Sequence, residues 1–229
     1  ICFGAILTQG TQWYPNAVRS LQQLILGRLF TAEELFMLKQ SELNSKTAAK
    51  IDSNIFEDVQ KNSYIDVKRF VESGIGDIVK LIKPSGYFNQ KALKIRNFCK
   101  FLVDRYEGRI EYLFKQDKLK LRKNLVSIKG IGPETADTII LYAAGKPIFV
   151  IDAYTKRIMN RIGFQIEGYG EFQIFFMAKL PNSEKLFNQY HSLLVELAKN
   201  FCRKAPLCGK CPINLMCSYH NNRQNTATG

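Results

Sequence analysis

No run of about 18 or more apolar residues occurs anywhere in the chain, which excludes a membrane-spanning helix. Convincing β-strands are scarce as well. Pro147 to Ile151 is β-prone but so short that it reads as an extended linker. No segment repeats at a solenoid period. Acidic side chains are in deficit, with 20 Asp and Glu against 33 Lys and Arg, for a net charge of +13. That balance suits a polyanionic partner, because each neutralised phosphate releases counterions, although a ribosomal or membrane-surface protein would share it. Tryptophan occurs once, as Trp13. The chain opens at Ile1 in what reads as the middle of an apolar element, so a preceding segment is expected and N-terminal targeting is not assessable.

What is present is mostly helical pattern. With 229 residues and 46% hydrophobic content, the chain can build one large core or two small ones. Ala92, Ile95, Phe98, Cys99 and Leu102 recur at spacings of three and four, as do Ala136, Ile139, Ile140 and Ala143. Leu186, Tyr190, Leu193, Leu194, Leu197 and Phe201 mark a long late helix. The expected class is all-α. The segment near 40–64 is polar and reads as a surface insertion. Residues 221–229 are expected to form a disordered tail.

The strongest sign of DNA binding is Lys129-Gly130-Ile131-Gly132-Pro133-Glu134. A basic helix over about 119–125 leads in, two glycines frame one aliphatic residue, and Pro133 suits the first turn of a new helix. Glycines let the backbone approach a phosphate closely, and the amides and dipole at the new helix's start favour an anion. Such a device grips the DNA backbone without reading bases. The same residues could also form an ordinary turn. Downstream, Asp152 stands where a helix begins. Aspartate there is an ordinary N-cap, but an ionised carboxylate can also stabilise an oxocarbenium-like sugar and orient a nucleophile.

Six cysteines occur, and four of them, Cys202, Cys208, Cys211 and Cys217, form C-x5-C-x2-C-x5-C. The clustering points to metal rather than to disulfides. Four thiolates can hold a tetrahedral zinc or a [4Fe–4S] cluster, and spacing alone leaves both open. Cys2 and Cys99 sit in apolar surroundings and read as buried thiols.

Taken together, the glycine hairpin, Val150-Ile151-Asp152 and the cysteine quartet resemble the endonuclease III-like helix-hairpin-helix (HhH-GPD) DNA glycosylase superfamily. Ala5 to Trp13 resembles that family's early helix and DNA-inserting turn, and Pro84 to Ala92 its second DNA-facing turn. The resemblance implies a two-lobed fold. The helical lobe would span 1–145, with the hairpin at about 119–145, and the cluster lobe would span 146–220. The groove between the lobes would hold Asp152 and Glu134 as catalytic residues. It also implies Gln9 filling the space of an extruded nucleotide and Tyr87 wedging the opposite strand. Lys91, Lys129, Gly130, Gly132, Arg203 and Lys204 would contact DNA, with Trp13 in the base pocket. The quartet would bind [4Fe–4S], although the family's first spacing is one residue longer.

Bifunctional relatives place a nucleophilic lysine two residues after the second glycine. Here that position is Glu134, so the resemblance implies hydrolysis by water on a damaged base in double-stranded DNA. Adenine-specific relatives carry a glutamate where this chain has Gly4. The combination of motifs most resembles the 3-methyladenine DNA glycosylase III branch, with Leu193 in place of its late-helix lysine. A glycosylase with lyase activity on oxidised pyrimidines and a non-catalytic DNA-structure binder are the rival readings. A cytoplasmic monomer is expected. The metal question has a direct test: an iron–sulfur protein purifies brown, with broad absorbance near roughly 400 nm, whereas colourless protein with stoichiometric zinc overturns that assignment.

Overall fold

The computed structural model describes residues 1–11, 13–29 and 67–227. All regular elements among these residues are helical, as the sequence pattern implies. None of the described helices is long and apolar enough to cross a membrane. The polar segment near 40–64 lies outside the described residues, and so does the Trp13 side chain.

The described chain divides into two compact units. One comprises Ile1–Asp117 and Ser127–Ile131, the other Lys118–Val126 and Gly132–Gly229. The division thus falls earlier than the expected boundary at 145, and the helix after the hairpin turn groups with the second unit.

The first unit contains α1 (Cys2–Leu7), a π turn (Trp13–Ala17), α2 (Val18–Leu29), α3 (Val67–Glu72) and α4 (Ile75–Ile82). A 3-10 turn (Lys83–Ser85), α5 (Phe88–Tyr106) and α6 (Ile110–Phe114) follow. Helix α5 is its spine: the apolar stripe Ala92, Ile95, Phe98, Cys99 and Leu102 is entirely buried. Phe3 of α1 meets Phe98 and the Phe70 ring of α3 edge-on, at centroid distances of 6.3 and 5.3 Å. Burial pushes the Cys99 thiol up to about 12 and the Cys2 thiol up to about 11, so both are inert apolar side chains at neutral pH.

Lys91 departs from its expected role as a DNA contact. It lies on the inner face of α5, 1% exposed. Its Nζ donates to the Leu7 carbonyl at 2.7 Å and the Ser85 carbonyl at 2.6 Å. Burial, helped by the Lys94 charge, brings its amine down to about 8. A lysine at a helix start reads as a phosphate ligand from sequence. Here two carbonyls freed by the ends of neighbouring turns claim it first.

The second unit contains α7 (Lys118–Val126), α8 (Pro133–Tyr142), α9 (Ala153–Ile162), α10 (Tyr169–Lys179) and α11 (Glu184–Asn200). Two 3-10 turns (Cys208–Lys210 and Asn214–Met216) and α12 (Ser218–Ala227) complete it. At its centre Asp137 of α8 is fully buried. Arg122 of α7 grips it through Nε at 2.7 Å and Nη2 at 3.1 Å. Tyr169 Oη and Gln173 Nε2 of α10 each donate to it at 2.7 Å. Four donors offset the desolvation of one carboxylate and bind three helices together.

The long late helix forms as its pattern implies, with Phe187, Leu194 and Ala198 buried and Leu193, on the outer face, 69% exposed. One expectation needs correction in this unit. The tail expected to be disordered is helical through Ala227. Its first turn is started by the Cys217 carbonyl, which accepts from His220 N at 3.0 Å, and anchored by Ser218 Oγ donating to the Ile162 carbonyl at 3.0 Å.

Two substitutions test these buried polar centres. Lys91→Met should destabilise the protein by about 2–4 kcal/mol, since two buried carbonyls lose their donor. It should leave the salt dependence of DNA binding unchanged, whereas loss of a phosphate contact lowers that slope by about one. Asp137→Ala should cost about 3–5 kcal/mol in denaturant unfolding by leaving the Arg122 charge and the Tyr169 hydroxyl without their acceptor.

Candidate active site

The hairpin turn is built as its sequence suggests. Ile131 N donates to the Ile128 carbonyl at 2.9 Å, and both isoleucines are buried. Gly130 has φ +100, and a Cβ there would lie 2.4 Å from Lys94 Cγ, near the root of that side chain. Glycine is therefore required twice, by its dihedral and by its neighbour. Asn97 Nδ2 donates to the Lys129 carbonyl at 3.0 Å and Gln9 Nε2 to the Gly130 carbonyl at 3.4 Å. Lys94 Nζ donates to Gln9 Oε1.

The first unit thus brings together Gln9, Lys129 and Gly130, with Lys94 and Asn97 as members that the sequence reading did not name. Their signal was their place on α5, one and two turns after its start. Tyr87 joins them. It is 71% exposed, in the left-handed region at φ 47, and its ring packs over Gly10. This is a backbone region that non-glycine residues seldom occupy, shared among the described residues by Glu107 at the end of α5.

In the second unit Gly132 is the exposed N-cap of α8, with Pro133 at the first helical position. The run Ile148–Ile151 is buried and extended without forming a sheet. Gln173 Nε2 donates to the Phe149 carbonyl at 2.8 Å, Lys118 Nζ to the Pro147 carbonyl at 2.9 Å, and the Phe149 ring stacks on Phe176 at 4.1 Å. This run delivers Asp152 to the N-terminus of α9.

Asp152 Oδ1 accepts from Thr155 N at 2.7 Å, so the capping role is real. Its other oxygen, Oδ2, faces His191 Nε2 of α11 at 3.5 Å. His191 Nδ1 lies 2.6 Å from Tyr142 Oη of α8. Burial works to raise the Asp152 carboxyl, but His191 and the Thr155 amide outweigh it and hold the group below its ordinary value. Glu134 moves the opposite way. The protein crowded around it raises its carboxyl first and the Asp152 charge second, against weaker pulls from Lys156 and His191. The two carboxyl groups are thus shifted in opposite directions, Asp152 down and Glu134 up. His191 was missed in the sequence, where it lies inside an amphipathic helix with no motif around it.

The cysteine quartet follows α11. Cys202, Cys208, Cys211 and Cys217 line one cavity together with Arg161 and Leu197. Burial raises the Cys211 thiol above its ordinary value, against a hydrogen bond from the Ile213 backbone and with the nearness of the other three sulfurs adding to it. Among the described residues, no group of three or more Cys, His, Asp or Glu is placed to hold a metal ion. Helix α9 fastens the loop. Arg157 Nε donates to the Cys202 carbonyl at 2.9 Å, and Arg161 Nη1 donates to Cys202 Sγ at 3.3 Å and to the Arg203 carbonyl at 2.6 Å. Arg161 Nη2 reaches the Lys204 carbonyl at 3.1 Å. The side chains of Arg203 and Lys204 are exposed, the former with its Nε on the Lys199 carbonyl.

Comparison with known proteins agrees with this architecture. Residues 35–181 match the family model of the HhH-GPD superfamily base excision DNA repair protein. A Methanocaldococcus jannaschii protein provisionally named a DNA repair glycosylase is 38% identical over 221 residues, which cover 95% of this chain and 84% of the relative. Endonuclease III of Rickettsia felis is 27% identical over 82% of this chain and 84% of its own length. Among solved structures, an H. pylori 3-methyladenine DNA glycosylase bound to 1,N6-ethenoadenine superposes with a TM-score of 0.63, at 24% identity, over 86% of this chain and 83% of its own. A non-covalent endonuclease III–DNA complex gives a TM-score of 0.61 at 20% identity, over 90% of this chain and 86% of that one. The hairpin, the aspartate that follows it and these matches lead to one conclusion: the chain belongs to the HhH-GPD superfamily of base excision DNA repair proteins, as an endonuclease III-like DNA glycosylase.

Proposed function

We propose that the protein is a monofunctional DNA glycosylase that hydrolyses the N-glycosidic bond of an alkylated purine in double-stranded DNA. One observation carries the reading: Asp152 is kept ionised at the N-terminus of α9, and the hairpin position beside it is a carboxyl, Glu134, rather than an amine. A carboxyl cannot form an imine with C1′, so water is the nucleophile. The C1′–N bond breaks as the base leaves, positive charge gathers on the sugar, and Asp152 stabilises it. Water then adds to C1′ and loses its proton toward the Asp152 carboxylate. An alkylated, cationic purine leaves as a neutral base, so departure needs no strong acid. The solved relative holding an ethenoadenine supports a purine pocket. Lys156, the cation that acts on Glu134, lies over the Tyr169 ring at 5.8 Å.

The target nucleotide must leave the stack to be reached. Gln9 and Tyr87 serve this step from the first unit, while Lys129 and the Gly130 backbone hold phosphate. Cys202, Cys208, Cys211 and Cys217 would hold a [4Fe–4S] cluster, whose contribution is to order the loop that bears Arg203 and Lys204. Four thiols lining one cavity are the soft donor set that such a cluster takes.

A base-release panel of 3-methyladenine, 7-methylguanine, thymine glycol, uracil mismatches and 8-oxoguanine tests the proposal. Release of the methylated purines without a borohydride-trapped adduct is expected; robust trapping, or release of thymine glycol alone, sinks it. Asp152→Asn should slow single-turnover release by about 10³-fold. Because the Asp152 carboxyl lies below its ordinary value, the wild-type rate should stay level as the pH falls through the usual carboxylate range and drop only below it.

A further inference from the structure

We propose that His191, held by Tyr142, is a positioning residue for Asp152, making a Tyr142–His191–Asp152 chain that aims and polarises the working carboxylate. The inference rests on Asp152 being that carboxylate, as proposed above.

The geometry is specific to these three side chains. His191 stands on α11, Tyr142 near the end of α8 and Asp152 at the start of α9, so three helices meet through one imidazole. The side chains of His191 and Asp152 are 12% and 15% exposed. Tyr142 Oη and His191 Nδ1 are 2.6 Å apart, a full hydrogen bond. Nε2 has no completed hydrogen bond among the described residues and faces Asp152 Oδ2 at 3.5 Å.

Chemistry assigns the protons. A lone pair on Nε2 would point at a carboxylate oxygen, so Nε2 carries hydrogen. In neutral imidazole Nδ1 is then the acceptor and Tyr142 the donor. Burial raises the Tyr142 hydroxyl above its ordinary value, against a hydrogen bond with the Ser192 side chain and with the Asp152 charge adding to it, so it keeps its proton at neutral pH. In that tautomer the chain runs in one direction, Tyr142 O–H to Nδ1 and Nε2–H to Oδ2.

With Oδ1 on the Thr155 amide and Oδ2 facing His191, the plane of the carboxylate is set from two sides. The 3.5 Å gap is of the kind that tightens when charge develops nearby. The groups acting on the site are Glu134 and Tyr142 from α8, Thr155 and Lys156 from α9, and His191 and Ser192 from α11. Among these, His191 alone both touches the tyrosine and faces the aspartate. Its removal leaves burial as the main force on Asp152, which raises the carboxyl.

The test compares wild type, His191→Phe, His191→Gln and Tyr142→Phe, with Asp152→Asn as control. The first readout needs no substrate: the carbon-13 NMR titration of the Asp152 side-chain carboxyl. Its midpoint should rise by about one pH unit or more in His191→Phe, an effect typical of losing a partner to the charged form, and return toward wild type in His191→Gln, which restores an N–H donor. The second is single-turnover release of 3-methyladenine from methylated duplex DNA. His191→Phe should be slowed by about 10²-fold, with DNA affinity unchanged and its acid limb moved to higher pH. Tyr142→Phe should be impaired less, and glutamine should recover much of the rate. An unmoved titration midpoint in a folded His191→Phe overturns the proposal, as does equal impairment of the Phe and Gln variants with an unshifted pH profile. If wild type releases no methylated base, the proposed substrate is wrong, while the titration still decides the role of His191.

Discussion

Asp137 holds its side chain where no water reaches it, and the second unit is arranged around that fact. A lone buried carboxylate would cost several kcal/mol, and four donors from two other helices compensate it. One of the donors does a second task. Gln173 Nε2 also reaches the Phe149 carbonyl, and so ties the buried charge to the extended run that ends at Asp152. The position of Asp152 therefore descends from that of Asp137. The hairpin's exit helix, the run after it and the start of α9 are fixed by a single set of hydrogen bonds rather than by loop length alone.

The two aspartates show how environment divides one residue type between roles. Asp137 is saturated with donors and closed to solvent, so its charge is spent on the fold. Asp152 has fewer partners, one oxygen on a backbone amide and the other opposite an imidazole, and it keeps some contact with solvent. Its charge is held in place yet not exhausted. Glu134, beside it, cannot ionise as easily while Asp152 is charged. At the far end of the same helix, Arg157 and Arg161 grip the start of the cysteine loop, so α9 supports both the carboxylate and the thiols.

Much of this was legible in the chain, for identifiable reasons. The apolar stripe of α5, the glycine hairpin with its buried Ile131, and the cap at Asp152 are local patterns, readable because helical periodicity and capping depend on neighbours in sequence. The expected role of Lys91 and the disorder expected of the tail were misread, because each depends on partners far along the chain. A buried lysine and a phosphate-binding lysine have the same local sequence. The His191–Asp152 pair spans two helices and carries no motif. The cysteine spacing announced a cluster of thiols, whereas the arginines of α9 that fasten their loop lie some forty residues upstream and bear no mark of that task.

Lys91 matters for what it joins as much as for where it sits. The Leu7 and Ser85 carbonyls that it grips stand two residues before Gln9 and Tyr87. One ammonium thus works as the pivot pin of a caliper whose jaws are the two turns that carry these side chains. The span of the jaws is set when the protein folds, so the entropy of bringing them together is not paid again at each encounter with DNA.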